Sequence, residues 1–92
     1  MSTAQVLAHR LPATTDDLAI RLRGMRLNSR LSQKQLSSAT GISACRVGHI
    51  ERGDYLPSEA EVRSWCWAAY ADDQTTELLQ MWAERLPEVE VY

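Results

Sequence analysis

"SQKQLSSATGISACRVGHIERG", Ser32 to Gly53, is the stretch on which the fold turns. Ser32 with Gln35 three residues on is a capping box, in which the hydroxyl accepts an orphan N–H and the amide reaches back to the cap's own N–H. Leu36 and Ala39 then face inward on a short helix. Gly41 falls where a helix ends in the left-handed conformation, which glycine adopts without a Cβ penalty. Ile42 packs the turn, and Ser43 caps a second helix with its apolar positions, Val47 and Ile50, three apart. Gly53 ends that helix. Two short helices around a glycine turn are either a generic helical hairpin or a helix-turn-helix unit, whose second helix enters a major groove about 12 Å wide.

On the N-terminal side, residues 1–13 lack periodicity and read as a mobile arm. "TTDD" offers Thr14 or Thr15 as a cap, with early carboxylates suited to the positive end of a helix dipole. Leu18, Leu22 and Met25 follow on one face, and "NSR" around Asn28 closes this first helix. On the C-terminal side, "SEAE" from Ser58 to Glu61 is a second capping box. The helix it opens buries Val62, Trp65, Cys66 and Ala69. "ADD" breaks the chain at 71–73, and Asp72 or Asp73 caps a fifth helix with Leu78, Leu79, Trp82 and Leu86 as its stripe, stopped by Pro87. The helical domain therefore spans 14–86, and 87–92 are a tail or the start of a further segment. The fold class is all-α, with five helices.

Composition agrees. Ninety-two residues with 45% apolar and 24% charged side chains make one small domain. Phe is absent, so the large core pieces are aliphatic residues, Met and Trp. Cys45 and Cys66 form no disulfide framework and read as reduced thiols. No signal-peptide pattern and no apolar run near the roughly 20 residues of a membrane span occur. The expected location is the cytoplasm, at the nucleoid, with no membrane partner.

The formal net charge of −2 conceals a segregation. Residues 20–53 carry seven basic residues against Glu51 alone, whereas residues 54–92 carry nine carboxylates against Arg63 and Arg85. A phosphate backbone responds to charge within a Debye length of about 8 Å, so the local block matters and the total does not.

With these positions in place, Leu31, Ser32, Gln33, Leu36, Ser37, Gly41, Ile42, Ser43, Ile50, Glu51 and Gly53 resemble the pattern of the XRE family, the lambda-repressor-like and Cro-like helix-turn-helix regulators. "LPSEAEVRSW" is similar to the family's fourth helix. The resemblance covers about residues 17–86. It implies a five-helix lambda-repressor-like DNA-binding domain, a buried pair between Arg26 and Glu51, a phosphate contact at Arg52, and dimers on two-fold-related half-sites.

Phosphate contacts are expected from the start of the second helix, where Ser32 and backbone N–H groups face the strand, with Ser43, Arg23, Arg30, Lys34 and Arg52 adding to them. Base contacts are expected from Gln33 and from the outer face of the third helix, Ala44, Cys45, Arg46 and His49, with Gly48 among them. Arg46 is able to chelate guanine O6 and N7, whereas Ala44 and Cys45 offer only apolar contact to a thymine methyl. Gly48 is either a point of close approach to DNA or a tolerated weak helix position. Arg10 in the arm is a candidate for the minor groove.

Cys45 and His49 stand one helical turn apart, but a structural zinc site needs four ligands and only Cys66 and His9 remain, so no metal or other cofactor is expected. Catalysis is not expected either, because no nucleophile–base pair or phosphate-cradling loop is present. Trp65 is assigned to the core. Trp67 and Trp82 exceed what a thin core holds, and one of them is expected at a partner interface, with Leu79, Trp82 and Leu86 as its residues. Two functions stay open: a DNA-binding transcriptional regulator, a homodimeric repressor on a two-fold operator, or a protein-interaction module such as the antitoxin of a toxin–antitoxin pair, binding through its acidic C-terminal half.

Overall fold

The computed structural model describes residues 16–86. They form five α-helices, α1 (Asp17–Asn28), α2 (Gln33–Thr40), α3 (Ala44–Glu51), α4 (Glu59–Ala68) and α5 (Thr75–Ala83), with a 3-10 turn, Asp72–Gln74, before the last. No strand occurs among the described residues, and the fold is all-α. The arm at 1–13, with His9 and Arg10, and the tail at 87–92 lie outside the described residues.

Each helix start has a local cause. Asp16 caps α1, its carboxylate accepting from Leu18 and Ala19 N–H at 3.0 and 3.3 Å. The cap is therefore this aspartate, where a threonine hydroxyl at 14 or 15 was expected. A carboxylate caps as well as a hydroxyl and adds charge at the positive end of the dipole. Both capping boxes form: Ser32 with Gln35 at 3.0 and 2.8 Å opens α2, and Ser58 with Glu61 at 3.1 and 2.8 Å opens α4. Ser43 caps α3 through Arg46 N–H at 3.1 Å. The helix-turn-helix hinges on Gly41, left-handed at φ 80°, and on Ile42, buried beneath the turn.

Three helix ends share one device, in which an N–H two residues past the C-cap closes onto a carbonyl five residues back. At α3 the left-handed residue is Gly53, and Asp54 N–H meets His49 C=O at 2.9 Å. At α1 it is Arg30, at φ 60°, with Leu31 N–H on Arg26 C=O at 3.1 Å. At α4 it is Tyr70, at φ 55°, with Ala71 N–H on Cys66 C=O at 2.8 Å. A side chain in that region costs on the order of 1 kcal/mol relative to glycine.

The core gathers one face of every helix. Leu18, Leu22 and Met25 of α1, Leu36 of α2, Val47 and Ile50 of α3, Val62, Trp65 and Cys66 of α4, and Leu78 of α5 form one buried cluster. Trp65 is fully buried, and its indole N–H donates to Leu22 C=O at 3.0 Å, so the largest core side chain leaves no polar atom unmatched. Across the far side of α1, Arg21 binds Glu77 and Gln74, each at 2.9 Å. Arg85 reaches the Asp16 cap at 3.1 Å. These contacts tie α5 back to α1.

Three local expectations change. Ala39 is exposed at the end of α2, because Leu36 alone fills the core-facing position of this two-turn helix. Asp72 and Asp73 do not cap α5; they lie in the 3-10 turn, and Gln74 takes the cap position without a side-chain hydrogen bond. Leu86 falls beyond α5, which ends in i to i+3 bonds from Arg85 and Leu86 N–H. A residue before proline is disfavoured in the α region, and Leu86 precedes Pro87.

Candidate nucleic-acid interface

The site is organised around one carboxylate. Glu51, at the end of α3, is 2% exposed. It receives Arg26 Nε at 2.6 Å and Nη2 at 2.9 Å in a bidentate pair, and Gln33 Nε2 at 3.2 Å. Arg23 Nε lies 3.9 Å away. Arg26 uses its remaining Nη1 on Leu31 C=O at 2.8 Å, in the loop leading to α2. One acidic side chain thus fixes α1, the entry to α2 and α3 relative to one another. Two parallel N–H···O bonds give that junction direction as well as energy.

The same junction brings the start of α2 against the later half of α3. A Cβ built on Gly48 would lie 3.7 Å from the Gln33 amide and 3.3 Å from Arg52 Nη1. Gly48 is buried. A methyl there would meet Gln33 at ordinary contact distance and would press only on the flexible end of Arg52. The neighbours of Gly48 are thus Gln33 of α2 and, from the end of α3 itself, Arg52.

Around this point the expected contacts are distributed unevenly. Ala44 and Cys45 are exposed at the start of α3 with the Ser43 cap, and Ser32 and Lys34 are exposed at the start of α2. Among the described residues Arg30 and Lys34 have no ion-pair partner. His49 and Arg52 lie further along α3, near the connector that follows. His49 Nδ1 is 3.1 Å from Asp54 Oδ2 and also 3.1 Å from Arg52 Nη2. A single ring nitrogen either donates to the carboxylate or accepts from the guanidinium, so the two contacts are alternatives set by the tautomer. Arg52 Nε also approaches Asp54 at 3.4 Å. His49 and then Arg52 hold the Asp54 carboxyl below its usual range.

Arg46, expected to be the foremost base reader, is drawn toward α4. Its Nε and Nη2 bind the two oxygens of Glu61 at 2.6 and 2.9 Å. The Arg46 fork pulls the Glu61 carboxyl below the ordinary carboxylate value, and the same bond raises Arg46. Tyr55 lies between these groups, its ring 4.9 Å from the His49 ring and 5.9 Å from the Arg46 guanidinium carbon.

Asp54, Tyr55 and Glu61 were not assigned to the site from the sequence. They belong to the acidic half of the chain, and only the fold turns the connector back along α3. The signal that was available is the capping-box role of Glu61, which places its carboxylate at a helix start.

The residues assigned to a partner interface also divide. Leu79 and Trp82 pack partly buried against the core, and the Trp82 indole N–H donates to Pro57 C=O at 2.6 Å. Leu86 is exposed. At the end of α4 two large aromatics are left open, Trp67, 61% exposed, and Tyr70, 88% exposed. Cys45 is exposed and Cys66 buried, where desolvation raises its thiol pKa. No group of three or more metal-ligating side chains occurs among the described residues. No helix there is long and apolar enough to cross a membrane.

A pair of short helices at a glycine turn, held by a buried ion pair and edged with basic side chains, defines the helix-turn-helix class of DNA-binding domain. The model of a helix-turn-helix domain family matches residues 17–79, and the chain belongs to that family. No curated protein and no solved structure shows a significant match.

Proposed function

We propose that this domain is a sequence-specific transcriptional regulator of XRE type that reads double-stranded DNA through α3 and acts as a repressor by occupying its operator. The observation that carries the reading is the Glu51 junction, which holds the start of α2 against the end of α3 through Gln33 and Arg26, while the first residues of α3, Ala44 and Cys45, stay exposed. Helix N-termini offer N–H groups and positive dipole ends to phosphate. Ser32, Ser43, Lys34, Arg23, Arg30 and Arg52 supply the sequence-independent contacts, and Gln33, Ala44, Cys45 and His49 face the bases. A homodimer places two such units about 34 Å apart on a two-fold operator.

The test is fluorescence anisotropy with a random duplex across a salt series. Each neutralised phosphate releases counterions, so affinity falls steeply as salt rises. Arg52→Ala is expected to weaken all sequences evenly and to lower the salt slope by about one. Absence of binding at about 50 mM salt, by protein with intact helicity, rejects the reading.

One observation favours a second reading. Trp67 and Tyr70 are exposed together next to the acidic turn at Asp72, as in a module that binds a protein partner, such as an antitoxin. Failure to bind DNA by the folded domain would favour it.

A further inference from the structure

We propose that Glu61 is a specificity-determining residue that acts through Arg46: by holding the arginine fork against α4, it withholds guanine readout from α3 and leaves base recognition to Ala44, Cys45 and His49. The inference rests on the DNA-binding reading above. Arg46 is the side chain of α3 best suited to chelate a base, since a planar fork matches guanine O6 and N7. Its Nε–Nη2 edge is taken by both oxygens of Glu61, at 2.6 and 2.9 Å, and Tyr55 packs against the guanidinium from the connector.

Folding alone does not explain the carboxylate. Glu61 also closes the α4 capping box, accepting from Ser58 N–H at 2.8 Å, but glutamine performs that role as well. The pair is partly open to water, with side chains 39% and 18% exposed, and such pairs add little to stability. What the carboxylate adds beyond a glutamine is its charge on Arg46. Asp54, in the connector, lies against His49 and Arg52 in a similar way, so acids beyond α3 meet the basic side chains of its outer face. Glu61 differs in that it takes two nitrogens of its partner's fork, whereas Asp54 meets Arg52 through Nε alone at 3.4 Å.

The experiment compares the complete chain with Glu61→Gln, Arg46→Lys and the double variant. Each selects sites from a randomised duplex library, followed by anisotropy on the enriched duplexes. Glu61→Gln retains the cap and is expected to gain a preference of about tenfold or more for guanine at one position per half-site, in line with a bidentate arginine contact. The double variant is expected to lose that preference. Arg46→Lys alone, which keeps the charge but not the fork, is expected to leave the native base preference unchanged.

A uniform rise in affinity for all duplexes with Glu61→Gln overturns the proposal, because charge removal alone does that. So does a new preference that persists in the double variant, or a relaxed native preference with Arg46→Lys. In each of these results the chain still binds DNA and the functional reading stands. If neither the native chain nor Glu61→Gln binds any duplex while circular dichroism shows intact helices, the functional reading fails and this inference fails with it.

Discussion

Glu51→Gln tests the junction on which the site depends. The substitution is nearly isosteric, so it opens no cavity. It removes the charge that matches Arg26, 7% exposed in the folded protein, and sets an amide NH2 against guanidinium donors now 2.6 and 2.9 Å from carboxylate oxygens. Breaking one side of a buried, bidentate pair costs about 3–5 kcal/mol, because the remaining charge stays desolvated. A domain of this size has a total stability on the order of 5–14 kcal/mol, so the loss is a large fraction of the whole. At roughly 4–8 °C per kcal/mol, the melting temperature should fall by at least about 12 °C. Urea unfolding followed by tryptophan fluorescence reads the effect, with the midpoint lowered and the slope unchanged. Replacing both partners, Arg26→Met with Glu51→Leu, should recover much of the loss, since an apolar pair needs no charge compensation. A drop below about 1 kcal/mol for Glu51→Gln would refute the reasoning, because that is the size of effect given by an exposed pair.

Further outcomes follow from individual residues. Gly48→Ala should raise stability by up to about 1 kcal/mol through helix propensity, because the closest atom, Arg52 Nη1 at 3.3 Å, is the end of a flexible chain; duplex affinity, read by anisotropy, should fall as the Arg52 end shifts. Arg30→Gly should stabilise the domain by about 1 kcal/mol by relieving a left-handed arginine while weakening DNA binding, read by thermal melting and anisotropy in parallel. In the native protein one thiol, Cys45, should react with a chromogenic disulfide at pH 8 and both should react in denaturant, since Cys66 is buried with a raised pKa. Glu61, Glu77 and Asp54 are each held below their ordinary values of 4.5, 4.5 and 3.8. The folded state then binds fewer protons than the unfolded one, so their contribution is complete above about pH 4.5 and is lost as pH falls toward the lowered values. Combining Glu61→Gln with Glu77→Gln should flatten the acid limb of a stability–pH curve.

Much of the molecule was legible in the sequence because its signals are local. A capping box spans four residues, so Ser32–Gln35 and Ser58–Glu61 announce α2 and α4 without reference to the rest of the chain. Gly41 and Gly53 mark left-handed positions that few other residues take. The stripes at Leu18, Leu22 and Met25 and at Val47 and Ile50 record which faces are buried. Local signals were weaker where two candidates compete over a few residues. Asp16 took the cap from the threonines before it, and a 3-10 turn placed the start of α5 after Asp72 and Asp73. Arg30 and Tyr70 end their helices in a conformation for which their side chains give no sign.

The amino-acid order by itself determined an all-α chain with a helix-turn-helix at Ser32–Gly53, because capping, left-handed termini and helical periodicity act over a few residues. Only the tertiary structure decided what each basic side chain of α3 touches. Along the chain the acids beyond Gly53 form a separate half, and the block from Ile20 to Gly53 stands out as basic. In the fold the connector returns along α3, so that Asp54 lies against His49 and Arg52, and Glu61, fifteen residues beyond Arg46, binds its fork. Charge pairing depends on distance in space, and no local pattern records how a connector folds back. Gly48 shows the same limit: its missing side chain is visible in the sequence, but only the packing of α2 over α3 shows that Gln33 and Arg52 border the space it leaves.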